Sequence, residues 1–407
     1  MAILEGIQIQ NFRALQNIVL GQTFDNNKSK PLPRLVAVIG ANGSGKSSLM
    51  DALGFIGDCL MEGVQSACDK PHRGGFERLR TQGSNEAIKF EIRYRQTSDS
   101  RPISYSLYIN CDKHGRAMVV YERLRQRRKG VGSGQPLSFL TIEEGRGTVW
   151  AGEASASAEG TRLDQIQMSD RQVLGIASLG TLADHPRIAA FREFLSGWYL
   201  SYFVPQLART QPMSGVAAHL DRTGENLANY LQFVSREHPA GFKQMLARIA
   251  KKIPGVETIT PVVAPDKRLL LAFRSSGYAE PFFQQDMSDG TLKMLAYLLL
   301  MEDPEPAPLV GIEEPENGLH HQLLGDLAQE FKEFARKARG PQVIVTTHAP
   351  NFVDALTPDE VWILDKDRQG HSQLTRAADI EGVRALFDEG IPMGSLWYSN
   401  HFRIGNP

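Results

Sequence analysis

Gly40-Ala41-Asn42-Gly43-Ser44-Gly45-Lys46-Ser47, continued by Ser48, is the stretch on which the reading of this 407-residue chain turns. Its glycines, lysine and hydroxyls have the spacing of a phosphate-binding loop. The apolar run Leu35-Val36-Ala37-Val38-Ile39 before it reads as a buried strand, and Ser47 to Leu53 after it as a helix start. Strand, loop and helix in that order are the context the motif requires. Gly40, Gly43 and Gly45 allow backbone N–H groups to turn inward onto phosphate oxygens at the positive end of a helix dipole. Lys46 is placed to neutralise the β and γ oxygens, and the Ser47 hydroxyl to ligand Mg²⁺. Asn42, Ser44 and Ser48 complete the candidate loop. The expectation is a nucleoside triphosphate bound with Mg²⁺.

The far end of the chain narrows the chemistry. Leu309-Val310-Gly311-Ile312-Glu313-Glu314 is a short apolar strand ending in adjacent carboxylates. Glu313 is the candidate for the magnesium shell, and Glu314 for polarising the attacking water. A third apolar run, Gln342 to Thr347, leads into His348, at the strand end where parallel sheets place ligand-binding residues. Before the carboxylate strand, Met287-Ser288-Asp289-Gly290-Thr291 opens an apolar helix. Ser288 and Gly290 there form a second candidate anion site.

Taken in this order, the pieces resemble the ATP-binding-cassette (ABC) ATPases. The resemblance is to the RecF/SMC-like branch and its stand-alone bacterial AAA relatives, which include the OLD-type ATPases. Gly40 to Ser47 resembles the Walker A loop, and Met287 to Thr291 the signature motif. Ile312-Glu313-Glu314 is similar to Walker B with its catalytic glutamate, Glu316 to His320 to the D-loop, and His348 to the switch histidine. Ile7-Gln8-Ile9-Gln10-Asn11-Phe12-Arg13 resembles the first strand of RecF/SMC heads, which puts Arg13 near the nucleotide. Gln82 is the candidate Q-loop ligand to Mg²⁺, or else a surface glutamine in a polar turn. Two positions depart from the pattern: Asp289 stands where glycine is usual and Thr291 where glutamine is usual. Glu313 replaces the commoner aspartate.

The resemblance implies an α/β fold: a P-loop NTPase head of ABC type with an antiparallel β-lobe and an inserted helical lobe. It implies an ATP phosphohydrolase whose signature helix closes over a nucleotide held by a second copy, so that a homodimer, or a higher homo-oligomer, sandwiches ATP. It also implies a regulatory ATPase that scaffolds a separate effector, such as a nuclease or toxin, in anti-phage defence. The alternative is a RecF-like DNA-binding repair clamp.

Composition is consistent with that class. The formal net charge is −1, from 45 basic and 46 acidic side chains, so bulk attraction to nucleic acid is not expected. Cys59, Cys68 and Cys111 share no metal-ligand spacing, which fits a reducing cytoplasm. Met1 to Glu5 contains no basic leader region. The longest apolar helix, Leu292 to Met301, is about half the ~20 residues that a membrane span requires. A cytoplasmic protein with no membrane partner is expected.

Organisation along the chain follows from periodicity. Residues 1–95 hold the first part of the head with Walker A, 96–255 an inserted β and helical lobe, and 256–407 the second part of the head. Ile88, Phe90, Ile92 and Tyr94 alternate with charged residues, as in a half-buried strand. Ser104 to Asn110, Ala117 to Glu122 and Leu137 to Ile142 continue as β runs, with residues 130–160 rich in Gly, Ser and Ala. From Gln165 to Lys252 the pattern is helical, with apolar stretches at Ile188 to Leu200, Asn226 to Val234 and Phe242 to Ile253.

Arg123, Arg125, Arg127, Arg128 and Lys129 form a basic cluster, either a track for phosphates or an acidic partner, or a solvated hairpin tip. His320 and His321 are neighbours on a helix, pointing ~100° apart, and read as capping or D-loop packing. Asp365-Lys366-Asp367 reads as a strand-end turn. Trp397 and Tyr398 either anchor a partner or pack on the chain's own core.

Overall fold

The computed structural model describes residues 2–26, 28–127, 136–153, 155 and 159–402. A six-stranded sheet forms the nucleotide side of the molecule. Its order is Tyr199–Ser201, Leu309–Glu313, Gln342–Thr347, Leu35–Ile39, Val361–Lys366 and Ser372–Arg376. The first five strands are parallel, and the last returns antiparallel as a hairpin. All five residues of Leu35–Ile39 and all six of Gln342–Thr347 are buried. That two-sided burial explains their unbroken apolar runs, since parallel strands are covered on both faces.

The register sets the site. Glu313 pairs with Thr346, and Thr347 with Ile39, so three loops leave the same carboxyl edge side by side. They begin at Gly40, Glu314 and His348, the switch-point arrangement at which open α/β sheets bind ligands.

An eight-stranded antiparallel sheet covers the other side of the phosphate-loop helix. Its order is Leu15–Gly21, Ile3–Phe12, Ile88–Arg95, Ile103–Cys111, Ala117–Gln126, Leu137–Glu143, Arg146–Ala151 and Arg162–Gln167. Ile88–Arg95 pairs directly with Ile103–Cys111, so the strand that ends at Arg95 and the one that begins at Ile103 belong to the same sheet. Ile88, Phe90, Ile92 and Tyr94 are buried as their alternation requires. Between the sheets lies the helix Lys46–Glu62, with buried residues all around it, as expected for a helix packed on every side. Phe55 of this helix packs against Phe12 and Phe90, with ring centroids 5.6 and 6.0 Å away.

Two strands fall partly or wholly within the stretch from Gln165 to Lys252 that reads as helical. Arg162–Gln167 closes the large sheet, its two faces too exposed to give an apolar pattern. The helix Pro186–Ser196 ends at Gly197, and Tyr199–Ser201 then joins the nucleotide sheet beside Val310 to Ile312. Three residues are too few to display a period of their own. The helices Leu227–Glu237 and Pro239–Lys251 pack on a small sheet, Thr258–Val263, Leu269–Arg274 and Phe282–Phe283, which leads into the helix Asp289–Met301.

Trp397 is fully buried in the core under the nucleotide sheet, whereas Tyr398 is 77% exposed. The helix Met393–Tyr398 rests on Pro350–Val353, just beyond His348, and a Cβ at Gly394 would meet the Pro350 carbonyl at 2.1 Å. Trp397→Ala is therefore expected to destabilise the chain by about 3–5 kcal/mol, read as a lower urea midpoint at unchanged slope.

Candidate active site

The phosphate loop is built on two glycines that no other residue could replace. Gly40 has φ +155°, and a Cβ there would meet the Leu364 carbonyl at 2.1 Å. Gly45 caps the helix at φ +113°, where a Cβ would meet Ser372 Oγ at 2.5 Å. Ser372 pins the loop from outside by donating to the Ser44 carbonyl at 2.7 Å. Inside the loop, Lys46 Nζ donates to the carbonyls of Gly40 and Ala41 at 2.8 and 3.2 Å. Burial pushes its pKa down, opposed by the charges of Glu314, Glu316 and Glu313. Ser44 Oγ is buried without a hydrogen-bond partner among the described residues. A buried ammonium and an orphaned hydroxyl in a cradle of glycines fit an incoming phosphate.

The residues for Mg²⁺ also fit. Glu313 faces the Ser47 side chain, with burial raising the Glu313 pKa and that hydroxyl lowering it. A hydroxyl beside a carboxylate is the hard-oxygen set that magnesium takes alongside phosphate oxygens.

Glu314 has φ +41° and precedes Pro315. Proline disfavours helical backbone before it, and left-handed backbone on a non-glycine residue costs on the order of 1–3 kcal/mol. The conformation is held by the Glu314 N–H donating to the Thr346 carbonyl at 2.9 Å and by Lys293 Nζ, 3.3 Å from the Glu314 carbonyl. It aims the carboxylate inward: Oε1 lies 3.8 Å from Lys46 Nζ and 3.5 Å from His348 Nδ1, while Oε2 accepts from Asn317 Nδ2 at 3.0 Å. Lys46, Glu314 and His348, distant in sequence, are thus one cluster.

Ser288 caps the helix Asp289–Met301, its hydroxyl accepting from the Thr291 N–H at 3.1 Å. Gly290 packs so tightly on the turn after the strand Leu309–Glu313 that a Cβ would meet the Gly318 carbonyl at 2.5 Å. Asp289, the departure from the usual glycine, pairs with Arg209 at 2.5 Å. Lys293 on the same helix also donates to the Asn317 carbonyl at 2.9 Å, and burial depresses its pKa. Periodicity hid Lys293, which looks like an interruption in an apolar helix. A cavity of about 480 Å³ opens beside Glu313 and Glu314, with Tyr202, Phe203 and Lys293 in its walls.

The other expected residues have these surroundings. The Arg13 guanidinium engages Asp51, 2.9 Å away on the phosphate-loop helix, and the His72 carbonyl at 3.1 Å. Gln82 sits in an exposed turn. Arg123 donates to Ser138 Oγ at 2.7 Å. Arg125 stacks 3.4 Å over the Phe24 ring and reaches Glu91 at 3.5 Å. These arginines are packed on the sheet rather than displayed at a hairpin tip; Arg128 and Lys129 lie outside the described residues. His320 and His321 stack with ring centroids 4.3 Å apart before the helix Gln322–Arg336. Asp367 closes the hairpin turn by accepting from the N–H groups of Gln369 and His371, each at 2.9 Å. All three cysteines are free, and no described helix is long and apolar enough to cross a membrane.

The fold is similar to that of Smc heads. The Smc head bound to the C-winged helix domain of ScpA superposes with TM-score 0.54 at 15% identity, covering 91% of this chain and 96% of that one. A Smc head with an extended coiled coil, bound to the C-terminal domain of ScpA from Pyrococcus furiosus, gives 0.52 at 16% identity, covering 92% and 96%. The Smc head with coiled coil and joint from Pyrococcus yayanosii gives 0.50 at 13%, covering 96% and 99%. No curated protein matches the chain. The model of one ATPase family matches residues 35–354, from the strand before the glycine-rich loop past His348, and the chain belongs to that family, described as "AAA domain, putative AbiEii toxin, Type IV TA system".

Proposed function

We propose that this ATPase is a nucleotide-driven switch that closes as a homodimer around ATP and thereby controls a separate effector. The observation that carries the reading is the half-site at Ser288. Its hydroxyl is exposed at the positive end of a long helix, and its described partner is its own Thr291 rather than the phosphate loop. A second copy offering a γ-phosphate completes such a site. In this reading Lys46 and the loop N–H groups hold the triphosphate, and Ser47 and Glu313 hold Mg²⁺, which supplies charge neutralisation. Glu314 orients the attacking water, and His348 faces the reacting phosphate. Binding then favours the closed state and hydrolysis releases it.

Among the described residues no three His, Cys, Asp or Glu side chains are grouped to hold a metal ion; the reading places the output chemistry on another protein. The toxin–antitoxin wording of the family description supports a link to a toxin-type effector. The reading is tested by light scattering after size exclusion. Mg-ATP is expected to convert the Glu314→Gln chain to a dimer, and Ser288→Arg to abolish that conversion. A monomer in both cases overturns the sandwich. Because Arg123 and Arg125 are engaged on the sheet, duplex DNA is expected to change turnover less than twofold. Stimulation of tenfold or more would move the assignment to a DNA clamp.

A further inference from the structure

We propose that Glu316, beyond any part it takes in the D-loop, is the positioning residue that orients His348 for phosphoryl transfer; this rests on the assignment of His348 to the reacting phosphate. Glu316 is 8% exposed, buried below the carboxyl edge of the sheet. Its Oε1 accepts from Thr347 Oγ1 at 2.8 Å and from the His348 N–H at 2.7 Å. The same oxygen lies 3.1 Å from His348 Nδ1. The other oxygen, Oε2, is buried with no hydrogen-bond partner among the described residues, as is His348 Nδ1 itself.

The two satisfied donors do not account for a carboxylate. The Oε1 of a glutamine would accept both bonds without a buried charge, and leaving a buried polar atom unpaired costs roughly 1–3 kcal/mol. A charge retained there at such a cost points to a task. The imidazole supplies one. A histidine acts through one ring nitrogen while a hydrogen bond at the other fixes ring and tautomer, often through a carboxylate. With Nδ1 held toward Glu316, Nε2 is the nitrogen left for the phosphate. The grip has two points, because the carboxylate fixes the His348 backbone N–H as well as the ring.

Glu314 competes for the same nitrogen, its Oε1 lying 3.5 Å from Nδ1. Glu316 is the nearer and more deeply buried of the two. It also interacts electrostatically with the ammonium groups of both Lys46 and Lys293. By keeping Nδ1, Glu316 leaves the Glu314 carboxylate free to turn to the attacking water. Positioning partners of this kind typically change function by about 10–100-fold.

The experiment is a double-mutant cycle on kcat with Glu316→Gln, His348→Ala and the pair, alongside nucleotide Kd. Each single change is expected to lower kcat by about 10–100-fold at unchanged Kd, and the pair to be no slower than His348→Ala alone. A residue that only supported the fold would slow the histidine-free chain further, so multiplying effects overturn the proposal. Wild-type kcat in Glu316→Gln also overturns it. If His348→Ala turns over normally, the histidine assignment itself fails, and the proposal with it. Should the glutamine variant fold poorly, Glu316→Asp, which keeps the charge and shortens the reach, runs the same cycle.

Discussion

Glu314→Gln is expected to reduce ATP hydrolysis by about 10²–10⁴-fold, the range that a positioned general base contributes, while binding nucleotide at least as tightly as the parent chain. The first half follows from where the strained backbone at φ +41° points the carboxylate, into the cluster of Lys46 and His348. Glutamine is nearly isosteric, and its amide oxygen accepts from Asn317 as Glu314 Oε2 does. The geometry survives and the basicity is lost. The second half follows from charge. In the free chain the Glu314 carboxylate lies 3.8 Å from the Lys46 ammonium that a triphosphate must engage. It also lies where it would repel the γ-phosphate. Neutralising it removes a competitor and a like charge together, so Kd is expected to stay level or fall. Single-turnover hydrolysis and equilibrium titration separate the two halves. Unaltered hydrolysis would remove Glu314 from the chemistry. Slow hydrolysis with much weaker binding would instead make it a ligand for the bound nucleotide.

The sequence displayed those parts of the molecule that are local and periodic. Leu35–Ile39, Leu309–Glu313 and Gln342–Thr347 are buried on both faces, so each appears as a largely apolar run, and the candidate site lies at their carboxyl ends. The β-lobe was legible for the complementary reason: one face packs on the helix Lys46–Glu62 and the other faces outward, which imposes a period of two. What stayed hidden depends on partners far along the chain. Lys293 looks like a lone charge in a helix until its contacts 21 and 24 residues away are seen. Arg125 looks like part of a solvated cluster until Phe24 is found beneath it. Glu316 is legible as a D-loop residue, but its bonds to Thr347 and His348 span 31 and 32 residues and leave no mark on local spacing. Arg13 was placed near the nucleotide by resemblance; the partner that holds it, Asp51, lies on the far side of the phosphate loop in sequence.

Lys46→Ala is expected to weaken ATP binding by about 2–5 kcal/mol, the usual consequence of truncating one member of a buried, hydrogen-bonded charge pair, or roughly 30-fold to several-thousand-fold in Kd. The ammonium is already committed to the loop before nucleotide arrives, donating to the carbonyls of Gly40 and Ala41. Its position is therefore set in advance, and little ordering remains to be done on binding. Stability is expected to move the other way, or not at all. The lysine is 4% exposed and its pKa is depressed by burial, which means that folding desolvates a charge that water would rather keep. Alanine removes that charge, which offsets the loss of its two hydrogen bonds to the loop carbonyls. A chain with an unchanged or slightly raised melting temperature that no longer binds ATP would show that the loop recognises charge rather than merely shape. Lys46→Met, which keeps most of the aliphatic stem, should behave like the alanine variant. If methionine restored affinity, packing of the stem and not the ammonium would be what the triphosphate requires.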